Sequence, residues 1–435
     1  MQKSQTIMDL KNFLAKSYTQ YHSVLLAINE LKANGFIELK EGQKWNIEKN
    51  KSYFICRDSS SLLCFKTNDL TEENYSFNIV ASHTDSPSLK IKNNSEIKSN
   101  GYTKLNIEVY GGTLHYTWLD KPLKIAGRVI CKNNQSQMLE SLLIDSNTNL
   151  VIPSLAIHMN RGANEGLKFN VQNELLPLLG LGNCSLNDII CQSIDTTKYS
   201  ICDYDLYLTN ATENFYAGVN QELLCSPKLD NLTSSYSSIK SLINSNGKKI
   251  NIAVLFDNEE VGSQTKQGAG GKLLIDTLER LNSILGFSKE TFDIALSNSF
   301  IVSVDNAHAR HPNYSSLNDP TNDVLMGNGI VIKHHANQNY TTDAFSSSIF
   351  KELLKQNDIK YQDFFMRSDM RCGSTLGAIS SSQISIRSID IGIGQLAMHS
   401  NMETMAVSDY EDMEKCLKIF YESNIICDGF DRAKI

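Results

Sequence analysis

The sequence predicts an α/β fold in which a central mixed sheet is flanked by helices and interrupted by an inserted β-rich domain. Two observations carry this. First, apolar β-prone runs at 76–83 (SFNIVASH), 249–257 (KINIAVLFD), 299–305 (SFIVSVD) and 383–392 (QISIRSIDIG) alternate with helical patterns such as 270–285 and 343–357. Alternation of that kind builds a sheet layered with helices. Second, residues from about 90 to 220 differ in character, with short alternating runs (LNIEVY, KIAGRVI, LVIPSLAIH) and many Asn and Gly turns. Both ends of the chain share the α/β pattern. Residues 1–90 and 221–435 are therefore expected to form one discontinuous domain, with 91–220 inserted into it.

The remaining elements follow from periodicity. Leu10, Phe13 and Leu14, then Val24, Leu25, Ile28 and Leu31, recur at helical spacing and predict a pair of amphipathic helices over about 8–35. The run 52–66 (SYFICRDSSSLLCFK) places a polar turn between two β-prone stretches and predicts a hairpin. The Gly-rich 266–274 (KQGAGGKLL) is not a phosphate loop. The position five residues before Gly271 is Lys266, and Leu273 stands where Ser or Thr must follow Lys272. It reads as a turn entering a helix.

Composition narrows the function classes. At 435 residues the chain can bury a sizeable core. A formal net charge of -7 without a basic stripe argues against nucleic acid as a partner. No run approaches the ~18 apolar residues of a membrane span, and the amino terminus lacks the apolar core of a secretory signal. The ten scattered cysteines form no CxxC pair. They are expected to be reduced thiols in a cytoplasmic protein rather than a zinc site.

Five clusters carry acids and histidines, several of them directly after apolar strands. They are NIVASHTDSPS with His83 and Asp85, SPKLDNL with Asp230, IAVLFDNEEVGS with Asp257, Glu259 and Glu260, IVSVDNAHARHPNY with Asp305, His308 and His311, and QLAMHSNME with His399. In open α/β sheets ligands bind at the carboxyl ends of strands. A hydrolytic two-metal site needs imidazole and carboxylate ligands, one carboxylate able to bridge, and a free carboxylate as base. This residue set suits Zn²⁺, with Co²⁺ or Mn²⁺ as substitutes. Adjacent Glu259 and Glu260 point different ways in extended chain, so one can bind metal while the other faces water. Asp85 can hold the second nitrogen of His83. Taken singly, each has a plainer reading: Asp230 as a helix cap, Glu259-Glu260 as a pair favoured by a helix dipole, Asp305 as an Asx-turn.

The ordered set SHTDSPSLKIK, IPSLAIHMNR, FDNEEVGS, DNAHARHPNY, VIKHHANQNYTTD, DMRCGSTLG and QLAMHSNMET, preceded by YHSVLLAINELKANGF, resembles the M18 metallopeptidases, the aspartyl aminopeptidases, over nearly the whole chain. The resemblance implies a zinc exopeptidase-like fold and hydrolysis of an N-terminal residue, preferentially Asp or Glu, from peptides with a free N-terminus. It implies two Zn²⁺ per subunit. His83, Asp230 and Asp305 hold one, and Asp230, Glu260 and His399 the other. Glu259 is implied as general base and Asp85 as the group orienting His83. His158, reaching across a subunit contact, and His308, Lys333 and Tyr340 are implied as substrate contacts. The inserted domain is implied in dimerisation or as a lid, within a homo-oligomeric dodecamer. His334-His335, Asn339 and Arg371 depart from the family pattern and bear on substrate preference. Two competing readings are a broad or leucine-type zinc aminopeptidase and a non-catalytic assembly or cargo protein of the same fold.

Overall fold

The computed structural model describes residues 3–72, 74–428 and 431–435. Nine strands form the central mixed sheet. At its centre, Ile250–Phe256, Phe77–His83, Phe300–Val304 and Arg387–Gly392 run parallel to one another in that spatial order. The predicted hairpin, Ser52–Arg57 paired antiparallel with Ser61–Lys66, extends one side. Ile330–His334 and Tyr361–Phe365 extend the other, the first antiparallel to Arg387–Gly392.

Side-chain alternation along these strands feeds two hydrophobic layers. Val80, Ala253, Val302 and Ile389 pack with the helices Gln5–Lys16, Gln20–Ala33, Leu229–Asn244 and Val407–Glu422 on one face. Ile79, Ala81, Ile252 and Val254 pack with Leu273–Leu285 and Lys289–Ser297 on the other. Strands buried on both faces read as continuous apolar runs, which is why these segments stood out. The run expected as one strand over 383–392 is divided: a helix, Leu376–Gln383, ends where it begins, and pairing starts only at Arg387. Ile384 and Ile386 instead fill the second layer, so burial rather than pairing explains their apolar character.

A second sheet of six antiparallel strands is built from Ser88–Ser99 through Tyr199–Asn210 and has its own core of Leu, Ile and Val side chains. A third sheet joins Phe215–Ala217 and Leu223–Ser226 to Glu403–Ala406, Gly394–Leu396 and Ala307–His308. All ten cysteines are free. Among the described residues no helix is long and apolar enough to cross a membrane.

The end of the Arg387–Gly392 strand is packed tightly under the site. Asp305 N–H donates to Ile391 O at 2.9 Å, and a Cβ on Gly392 would lie 2.0 Å from Asp305 O. Gly392→Ala is therefore expected to destabilise the protein by about 1–3 kcal/mol and to lower its calorimetric thermal midpoint. A wild-type midpoint would contradict this packing.

Candidate metal centre

Three central strands end side by side: Phe77–His83 delivers His83, Ile250–Phe256 leads into Glu259-Glu260, and Phe300–Val304 leads into Asp305. Asn258 takes a left-handed conformation (φ 62°) that turns the chain into the glutamate pair. Asn tolerates that region better than most residues. Asp230 comes from the start of Leu229–Asn244, where the chain departs from helical angles at Asp230 and Asn231. The peptide between these two residues is cis. His399 arrives on the loop between Gly394–Leu396 and Glu403–Ala406.

The side chains converge. His83 Nε2 lies 3.4 Å from Asp230 Oδ1 and 3.6 Å from Asp305 Oδ1. His399 Nε2 lies 3.5 Å from Asp230 Oδ2 and 3.4 Å from Glu260 Oε2. Asp230 thus presents a different oxygen to each histidine. Three ligand groups recur: His83 with Asp230 and Asp305, Asp230 with Glu260 and His399, and His83 with Glu259 and Glu260. Within each, the candidate ligand atoms lie within 4.8 Å of one another.

The electrostatics fit cations. Asp230 Oδ1 and Glu260 Oε1 are buried without a hydrogen-bond partner, a costly state for a carboxylate oxygen. Burial opposes charging of His83, yet Asp230, Asp305 and Asp85 outweigh it and raise its pKa well above the ordinary value. Burial likewise opposes charging of His399, but Asp230 and Glu260 lift it to about 10. Burial pushes Glu259 up to about 8, with neighbouring carboxylates adding to the effect against His83. Glu260 is raised well above the ordinary carboxylate range, chiefly by burial. Negative charge is crowded here beyond what two histidines balance, and the imidazole and carboxylate donors suit divalent metal binding.

Asp85 lies beneath. His83 Nδ1 is 3.1 Å from its main-chain oxygen and 3.3 Å from Oδ1. Its two carboxylate oxygens also accept the main-chain N–H groups of Glu259 and Glu260, each at 3.1 Å. Tyr110 donates to Asp85 at 2.7 Å and accepts from Asn258 at 2.8 Å. Asp257, though in the same cluster, is buried beneath the site and outside the cavity. His311 packs on Tyr314.

The cavity of about 180 Å³ is lined by this cluster and by His308, Lys333 and Tyr340. Lys333 is buried, with Nζ 3.4 Å from Asp305 Oδ2 and 5.4 Å from the centre of the Tyr340 ring. His308 lines the cavity while remaining exposed. The two unusual histidines do not line it. His334 turns to Asp363 at 2.8 Å and stacks on Phe365, and His335 packs edge-on to Tyr340. His158 is not brought to the cavity. It stands exposed in a loop beside exposed Leu155, Ile157 and Met159.

Sequence reasoning missed Glu403, although it lies within the quoted QLAMHSNME run. Fully buried, it accepts from the Asp230 N–H at 3.0 Å and the His399 N–H at 2.7 Å, and from Gln395 at 3.3 Å. It therefore couples the segments that carry Asp230 and His399, 169 residues apart in the chain. His399 sits at φ 65°, a left-handed conformation uncommon for residues other than Gly, though His adopts it more readily than most. Its N–H bond to Glu403 and a 3.0 Å contact of Nδ1 with Gly112 O hold it there. A Cβ on Gly112 would lie 3.2 Å from His399 Nδ1, a tight contact that would press on the ring.

A family model for the aminopeptidase I zinc metalloproteases (M18) matches residues 13–421. The chain belongs to the M18 family. A probable M18 family aminopeptidase 2 from Clostridium novyi is 43% identical over 95% of this chain and 98% of that protein. A probable aspartyl aminopeptidase from Ricinus communis is 35% identical over 95% and 94%. Among solved structures, Ape4 in its complex with Nbr1 superposes with a TM-score of 0.91 at 33% identity, covering 96% of this chain and 85% of that one. The S. cerevisiae mApe1 dodecamer superposes at 0.82 and 25% identity, covering 96% of both. This M18 chain is accordingly a metallo-aminopeptidase, a hydrolase of peptide bonds.

Glu403→Ala removes the acceptor shared by two ligand segments. Outer partners of this kind are worth about 10–100-fold in metal affinity, and a loss of that size is expected in competition with a metallochromic chelator. Wild-type affinity in a folded variant would show that Glu403 does not hold the site together.

Proposed function

We propose that this M18 enzyme uses two zinc ions per subunit, replaceable by Co²⁺ or Mn²⁺, to remove N-terminal Asp or Glu residues from peptides. The observation that carries the dinuclear reading is the division of Asp230, one oxygen toward His83 and the other toward His399. His83, Asp230 and Asp305 would hold one ion, and Asp230, Glu260 and His399 the other. When bound, such ions polarise the scissile carbonyl and acidify water.

The protein's own groups do the rest. Glu259 lines the cavity beside the ligands. Its carboxylate takes a proton from the attacking water and returns it to the leaving amine nitrogen, a role typically worth about 10²–10⁴-fold. The Asp85 oxygens, by accepting from the Glu259 and Glu260 N–H groups, hold the glutamate pair in register with His83. The substrate's free α-amine is bound by the carboxylates around it, which restricts cleavage to the first peptide bond.

The acidic preference rests on Lys333. A buried ammonium beside the catalytic carboxylates attracts the side-chain carboxylate of a first-position Asp or Glu, and a neutral side chain leaves it less well paired. Tyr340 and His308 complete that pocket. The aspartyl aminopeptidase relative supports the same reading. His158 contributes from a neighbouring subunit, through the exposed apolar loop that carries it. The enzyme is a homo-oligomer, a dodecamer by analogy with mApe1. Residues 91–220 serve as its dimerisation or lid domain. Ten free thiols suit a reducing cytoplasm.

Glu259→Ala is expected to retain metal and lose at least about 10²-fold in kcat with an N-terminal Asp chromogenic substrate. Near-normal turnover would exclude Glu259 as the base. Lys333→Ala is expected to raise KM for Asp substrates by about tenfold or more, as loss of a hydrogen bond to a charged group implies, and to change KM for Leu substrates far less. An equal effect on both would remove the acidic-pocket assignment.

A further inference from the structure

We infer that Asp390 is a positioning residue that latches together the two loops forming the walls of the substrate side-chain pocket, and so sets its selectivity. This rests on the pocket proposed above. Asp390 is fully buried in the Arg387–Gly392 strand, and its carboxylate reaches both walls. Oδ2 accepts from Thr341 N–H at 2.6 Å and from the Thr341 hydroxyl at 2.8 Å. Oδ1 accepts from the Thr375 hydroxyl at 2.6 Å. Thr341 directly follows Tyr340, and Thr375 ends the Gly373–Thr375 wall, so both loops face the catalytic cavity.

Further bonds join the same two loops. Asn339 donates to Cys372 O and Gly373 O at 3.3 and 3.0 Å, and Cys372 Sγ lies 3.5 Å from the Tyr340 hydroxyl. The Asp390 N–H donates to the Thr342 hydroxyl at 3.0 Å. Gly377 leaves space for the carboxylate, since a Cβ there would lie 2.4 Å from Asp390 Oδ1.

Hydrogen bonds to an ionised carboxylate are about twice as strong as neutral ones. Asp390 concentrates three of them on two loops that are otherwise joined by neutral contacts. Tyr340, whose ring faces Lys333 Nζ, is thereby fixed relative to the opposite wall. Thr341 also lines an outer groove of about 690 Å³, together with Ala378 and Arg387. If the latch loosens, the two loops lose their fixed spacing and the pocket loses its fit to a first side chain.

The test compares Asp390→Asn, Thr375→Val and Thr375→Ser in the full-length, metal-loaded enzyme. Asp390→Asn removes the carboxylate's charge and leaves a single acceptor oxygen for the two loops. Thr375→Val removes one bond at nearly constant shape, and Thr375→Ser keeps it. The expected result is faster amide hydrogen exchange over 338–342 and 372–376 in Asp390→Asn and Thr375→Val. The ratio of kcat/KM for Asp over Leu substrates should fall on the order of 10–100-fold in those two variants, mainly through KM. Metal content should stay unchanged, and Thr375→Ser should match the wild type. Wild-type exchange and selectivity in folded Thr375→Val, an equal loss in Thr375→Ser, or lost metal in either disruptive variant would each overturn the latch. If the wild type prefers no acidic residue, the acidic reading fails. The latch is then judged by loop exchange and by the enzyme's own best-to-worst substrate ratio.

Discussion

Four carboxylates (Asp230, Glu259, Glu260 and Asp305) gather with His83 and His399 in one cavity, and the cost of crowding that charge organises much of what lies around it. A buried carboxylate must be compensated by a cation, a proton or donors. Lys333 compensates Asp305 from one side. The histidines compensate Asp230 from two. The orphaned oxygens of Asp230 and Glu260 mark what remains uncompensated by protein groups alone. Binding of divalent cations is what that excess of negative potential favours.

Holding such groups together is a structural problem that the parallel centre of the sheet solves. Adjacent strands that run the same way end at the same edge, so His83, the Glu259-Glu260 turn and Asp305 are delivered together. Two further buried acids then act as clamps. Asp85 accepts from the main chain of Glu259 and Glu260 while contacting His83. Glu403 does the same for the Asp230 and His399 segments. In both cases a carboxylate fixes backbone, and backbone fixes the ligand. Asp390 repeats this device one strand away, on the pocket walls rather than on the ligands.

The second sheet takes part directly. Tyr110 and Gly112, at and just beyond the end of the Tyr102–Tyr110 strand, touch Asp85 and His399. Residues from outside the α/β layers therefore complete the site. His158, by contrast, stands on an exposed apolar loop far in sequence from any of these contacts.

Much of this was legible in the chain. Doubly buried strands announce themselves as unbroken apolar runs, and the acids and imidazoles that follow them are chemically unmistakable as a set. Hence the α/β class, the helix pair, the hairpin and the clustered acids and histidines of the cavity could be read from order and residue type, whereas Lys333 and Tyr340 were singled out only by the family resemblance. Other features could not. The apolar run at 383–392 looked continuous because burial and strand pairing demand the same side chains, and only packing separated Ile384 and Ile386 from the strand. Glu403 and Asp390 carry no local signature, since an acid that accepts from distant main-chain groups looks like any other acid in sequence. His334 and His335 lay beside Lys333 in sequence, yet the strand's alternation turned His334 toward Asp363 instead. The sequence by itself determined which chemistry is available, because ligand type is a property of the side chain. Tertiary structure decided which acids gather in the cavity, which clamp its segments and which only pair with a neighbour, because those roles depend on burial and on partners that are close in space and remote in the chain.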